Sequence, residues 1–184
     1  MGVPVTLVKE PGGTAVGQVT RRLLKHRLDV KINPLAELFL FAAARAQLVG
    51  EIIRPALEQN QMVICDRYAE STLAYQGYGR GMDLKVIETV NSIATGGLRP
   101  DLIILLDMDV SEGLHRKGSM AIGDRFERED ISFHRRVRQG YLEMAKADPG
   151  RWLLIDAARS RREIGELIWE RVRMYCPGGN LLDR

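Results

Sequence analysis

Asp66 and Arg67 are the residues best placed to do chemistry. They follow Met62 to Cys65, an apolar and partly β-branched run that reads as a short buried strand. In an open parallel sheet, ligands bind beyond the carboxyl ends of the strands. A carboxylate there can hold Mg2+ directly or through water. A guanidinium there can grip a phosphate by two parallel hydrogen bonds. The alternative is an ion pair that closes the strand end. Ser71, Thr72, Tyr75 and Gln76 follow at helical spacing, so hydroxyls, an amide and a ring stand close to the same place. Taken singly, Ser71, Thr72 and Gln76 serve equally well as caps or solvated positions. Phe41 and Arg45 lie one helical turn apart and share a face. An aromatic face suits a flat base, although a Phe on an apolar helix is also an ordinary core residue.

These groups need elements to hold them. Val3 to Val8 reads as an opening strand, followed by Lys9-Glu10-Pro11-Gly12-Gly13-Thr14, a tight loop whose Thr14 can cap the next helix. That helix runs to about His26, with Val16, Val19, Leu23 and Leu24 on one face. Pro34 suits the first turn of a long helix, which Pro55 should bend or end. A helix over Leu84 to Ala94 stops at Gly96-Gly97, and Leu102 to Leu106 is a strand ending at Asp107. Short and long helices cover Ser111 to Arg116 and Ile131 to Ala147, with an aperiodic charged segment over 117–129 between them that reads as a lid. A last strand, Trp152 to Ile155, ends at Asp156, and an amphipathic helix runs from Ser160 to Tyr175. Strands alternating with helices predict an α/β fold, a parallel sheet flanked by helices, in one domain over 1–184.

Composition narrows the function. A net charge of +3 suits an anionic small ligand and is too weak to argue for nucleic acid. Arg135, Arg136, Arg138, Arg159, Arg161 and Arg162 fall on helical segments and read as a solvated face. Two isolated cysteines, Cys65 and Cys176, give no disulfide framework and point to a reducing compartment, the cytoplasm. His26, His115 and His134 show no zinc spacing. No signal peptide and no membrane-spanning run are read from the sequence.

The motifs, in this order and spacing, resemble thymidylate kinase of the bacterial type. They are Glu10-Pro11-Gly12-Gly13-Thr14, Leu40 to Gln47, Asp66-Arg67-Tyr68 with Ser71 and Ala74-Tyr75-Gln76-Gly77, Gly97 to Leu102, and Asp124-Arg125-Phe126-Glu127. The resemblance implies a P-loop-kinase-like sheet and transfer of the ATP γ-phosphoryl group to dTMP, with Mg2+, in a homodimer. It gives Phe41 the thymine ring, Arg45 the base or phosphate, and Pro11 and Leu24 the walls around the base. Ser71, Thr72 and Gln76 meet the polar edge, and Tyr75 lies against the sugar and disfavours a 2′-hydroxyl. Lys9 and Arg67 neutralise the monophosphate, Asp66 helps to place Mg2+, and Arg125 is catalytic. Arg116 and Lys117 are the remaining lid cations.

The chain departs from the family pattern in four places. No G-x-x-x-x-G-K-S/T loop stands in the 184 residues. The chain starts where the family's second strand starts, and the family's first strand is central, with strands on both sides. Lys9 replaces an arginine, Ala44 and Leu48 replace Asp and His, and Met120 stands where the lid carries an arginine. Two expectations compete. Either the protein has about thirty further residues upstream, the size of a strand–loop–helix unit, or it is a truncated relative that binds a nucleotide without catalysis. On either, the acceptor site of this chain alone should bind dTMP better than it turns it over.

Overall fold

The computed structural model describes residues 3–26, 29–117 and 125–176. Four strands alternate with helices: β1 Val5–Lys9, β2 Met62–Asp66, β3 Ile103–Asp107 and β4 Trp152–Asp156. Each runs one residue past the apolar stretch, onto Lys9, Asp66, Asp107 or Asp156. Parallel pairing carries the ladders that far, through Lys9↔Asp66 and Asp107↔Asp156. All four strand ends are therefore charged.

The strands are parallel and flanked by helices, as expected. Among the described residues β1 pairs with β2 and β3 with β4, so the sheet consists of two parallel pairs. β2 and β3 are not paired with each other among the described residues. The resemblance gives the centre of the family's sheet to its first strand. One face of the first pair is packed: Val8, Val63 and Cys65 lie on Leu48, Val49 and Ile53. The opposite face is open, with Leu7 74% and Ile64 50% exposed, whereas parallel strands usually bury both faces.

The helices follow their local signals. Thr14 caps α1 (Ala15–Arg21) by accepting from the Gly17 N–H at 3.0 Å, and a π turn over Arg22–His26 extends it. Val16 and Val19, expected on the buried face, are exposed, and Gly17, Thr20 and Leu24 are buried instead. Asn33 caps α2 (Pro34–Leu48), with Pro34 in its first turn. Pro55 does not end this helix. A π turn over Val49–Ile53 leads into α3 (Arg54–Glu58), and Pro55 falls in the first turn of α3. After β2 come α4 (Ala69–Thr72) and a π turn over Leu73–Gly79. α5 (Leu84–Thr95) ends on Gly96 and Gly97 at φ 58 and 75. α6 (Val110–Lys117), α7 (Ile131–Ala147) and α8 (Arg161–Val172) complete the set.

α7 seats on the Leu73–Gly79 turn through two close approaches. A Cβ at Gly79 would come 2.6 Å from Phe133 Cε2, and one at Gly140 would overlap the Tyr78 ring. The glycines let the backbones approach, which fixes α7 against the residues that follow Arg67.

Candidate active site

β1 and β2 set Lys9 and Asp66 side by side at their carboxyl ends, and the Glu10 N–H closes the register on the Asp66 carbonyl at 2.9 Å. Lys9, Asp66 and Arg67 are all exposed there. Arg67 has φ 70, the left-handed region that a non-glycine residue enters at a cost of roughly 1–3 kcal/mol. The turn redirects the chain from β2 into α4. The Cys65 thiol donates to the Arg67 carbonyl at 2.9 Å, and burial pushes that thiol up to about 12, so it stays a thiol. The Arg67 guanidinium carbon lies 5.2 Å from the Tyr75 ring centre, within cation–π range. Two cations and a carboxylate thus stand together at the strand ends.

Phe41 and Tyr75 also come together, around a residue given no role from sequence. Phe126 is buried, with ring centres 5.9 Å from Phe41 and 5.7 Å from Tyr75. The segment over 125–129, expected to belong to a lid, is therefore anchored in the aromatic cluster. Arg80 adds to this, bonding Glu129 at 2.7 Å and Glu37 at 3.1 Å.

Arg45, Thr72 and Gln76 turn inward and bond to other protein groups. Arg45 is 1% exposed. Its Nε–H faces Glu10, its Nη1 donates to Asn91 Oδ1 at 2.5 Å, and its Nη2 donates to Thr72 Oγ1 at 2.8 Å and the Tyr68 carbonyl at 3.4 Å. Gln76 donates to Glu37 at 2.8 Å in full burial. These groups tie β1, α2, α4 and α5 together. Of the residues expected at the polar edge, Ser71 alone is not buried.

Glu10 is the unusual member of this network. The Arg45 Nε–H donates to Glu10 Oε2 at 3.0 Å, and Oε1, 2.8 Å from the same nitrogen, accepts no hydrogen bond. Burial outweighs Arg45 and raises the carboxyl to about 7. Pro11 and Leu24 are buried, and Arg21 donates to the Pro11 carbonyl at 3.1 Å. Leu48 takes a packing role: a Cβ at Gly13 would come 2.5 Å from its Cδ1, so the apolar residue seats the β1–α1 loop.

Arg125 donates to the Val30 carbonyl at 2.7 Å. Arg116 bonds Glu112 and the Ala157 carbonyl, beside the ends of β3 and β4. The Lys117 side chain, Met120 and Asp124 lie outside the described residues. At those strand ends a cavity of about 400 Å³ is lined by Asp107, Asp109, Glu112, Asp156 and Arg138, among others. Arg138 grips Asp107 in a bidentate pair at 2.7 and 2.9 Å. Arg136 donates to the Gly79 carbonyl, so these two arginines serve the fold. The sequence assigns no role to Glu10, Asn91, Phe126 or Tyr141. Glu10 and Phe126 sit inside the motifs, while no local signal marks Asn91 or Tyr141.

The model of the thymidylate kinase family matches residues 1–168. The chain belongs to the thymidylate kinase family. It is 51% identical to the thymidylate kinase of Dehalococcoides mccartyi, over 94% of this chain and 83% of that protein. It is 49% identical to that of Deinococcus radiodurans, over 93% and 82%. The thymidylate kinase structure from Ehrlichia chaffeensis superposes with a TM-score of 0.70 at 31% identity, covering 94% of this chain and 80% of that one. The chain is thus a phosphotransferase that phosphorylates dTMP. These relatives give no support to the expectation of a binding protein without catalysis.

Proposed function

We propose that the ends of β1 and β2 are the dTMP monophosphate site, with ATP as the phosphoryl donor, in a pathway that supplies dTTP. The supporting observation is the trio Lys9, Asp66 and Arg67, exposed together at adjacent parallel strand ends. Lys9 and Arg67 neutralise the acceptor phosphate and orient it, Arg67 by a two-bonded grip. Positioning and charge neutralisation are most of what phosphoryl transfer asks of a protein.

The donor set fits Mg2+. Among the described residues no three His, Cys, Asp or Glu gather as a metal cage. A single exposed carboxylate, Asp66, matches a cation that keeps its waters and shares phosphate oxygens. Bound there, the ion would supply charge neutralisation for the transferring group. The carboxylates around the β3–β4 cavity disfavour a polyphosphate, so that cavity is not assigned to the donor phosphates. Arg125 and Arg116 keep their assignment as lid cations for the transfer.

Phe41 offers the platform for thymine, with Phe126 behind it, and Tyr75 faces the sugar. Free cysteines at 65 and 176 support a cytoplasmic site of action. Leu35 and Phe39, 46% and 52% exposed on α2, support a homodimer through that helix.

Calorimetry with dTMP and thymidine tests the phosphate assignment. dTMP should bind at least about tenfold more tightly, the scale of one charge-assisted bond. Equal affinities would reject the strand-end trio as a phosphate site. Phe41→Ala should weaken dTMP by about 1–3 kcal/mol, one base–aromatic stack. A folded variant with unchanged affinity would return Phe41 to the core.

A further inference from the structure

Tyr141 stands 70 residues from Ser71 in the sequence, yet its hydroxyl donates to Ser71 Oγ at 2.8 Å. Its ring is held on two sides. Trp152, buried at the start of β4, meets it edge-on at 6.4 Å between centres. α7, which carries it, is locked to the Leu73–Gly79 turn by the glycine approaches at Gly79 and Gly140. Burial pushes the Tyr141 hydroxyl up to about 12, while the charge of nearby Arg67 pulls the other way. The group is therefore a protonated donor at any working pH.

A serine hydroxyl has one proton to give and two lone pairs. With Tyr141 on one lone pair, the Ser71 proton points elsewhere. Among the described residues no acceptor takes it. Ser71 sits in the first turn after Arg67, whereas Thr72 and Gln76 are turned into the interior.

We propose that Tyr141 is a positioning residue for nucleotide binding: by donating to Ser71 Oγ it aims the Ser71 proton at an acceptor oxygen of the dTMP bound beside Arg67. This rests on the assignment of the Arg67 strand end to dTMP. Tyr141 touches no nucleotide and acts through Ser71.

The test is a double-mutant cycle read by dTMP calorimetry, with thermal melting as the folding control. Tyr141→Phe keeps the ring and removes the donor. It should melt as the parent does and bind dTMP about 3- to 10-fold more weakly, the scale of one hydrogen bond. In a Ser71→Ala background the same change should cost nothing further. In a Ser71→Thr background, which restores a hydroxyl, the loss should return. Unchanged dTMP affinity in Tyr141→Phe would overturn the proposal. So would an equal loss with and without the Ser71 hydroxyl, or failure of Tyr141→Phe to fold, since each makes Tyr141 a packing residue. If Ser71→Ala binds dTMP normally while Arg67→Ala does not, this inference falls and the phosphate assignment stands. If Arg67→Ala also binds normally, both fall.

Discussion

Arg45→Ala is expected to destabilise the protein by about 3–5 kcal/mol, the scale for breaking a buried charged pair. The side chain is 1% exposed and joins Glu10, Asn91, Thr72 and the Tyr68 carbonyl. Truncation leaves those groups buried without partners and a cavity in their midst. Urea unfolding measures the loss. Arg45→Met separates volume from bonding, because it fills the space and satisfies none of the polar groups. A methionine variant as stable as the parent would show that packing, not the network, is what Arg45 contributes.

The same network sets a pH dependence. The Glu10 carboxyl lies near 7 in the folded protein, above the 4.5 of a free glutamate, because burial outweighs Arg45. Between those values the folded state holds a proton that the unfolded state has lost. Stability from Glu10 is therefore full below about pH 4.5 and is lost as pH rises through about 7. Glu10→Gln should flatten the decline of the urea midpoint across that window. An unchanged slope would place the titrating group elsewhere.

Arg67→Ala is expected to lower dTMP affinity by roughly 30- to 1000-fold, about 2–4 kcal/mol for a two-bonded guanidinium–phosphate contact. Thymidine, which has no phosphate, should bind almost as before. The substitution also relieves little of the strain at φ 70, since alanine is no better suited to the left-handed region than arginine. Stability should change by less than affinity does. Parallel calorimetry with both ligands reads the result. Equal losses for dTMP and thymidine would make Arg67 a structural residue stacked on Tyr75.

Sequence alone determined the elements, and through them the address of the proposed site. Alternation of strand and helix, Pro34, Thr14 and Gly96 are local signals, and local physics honours them because capping and backbone permissiveness act within a few residues. Strand ends at Lys9 and Asp66, with Arg67 beyond, also followed from local pattern. The motifs identified the family for the same reason, since their order along the chain is itself sequence. What only the tertiary structure decided is which way the polar side chains face. Arg45 and Thr72 bear the same residue types whatever they meet, and the bonds of Arg45 to Glu10 and Asn91, 35 and 46 residues away, are visible only in the folded chain. Pairing of the strands into two parallel couples, the exposure of Leu7, and the bond from Tyr141 to Ser71 likewise depend on contacts between distant segments. Periodicity records that a side chain leaves an apolar face. It does not record which partner waits there, because the partner's place is fixed by the packing of the whole chain.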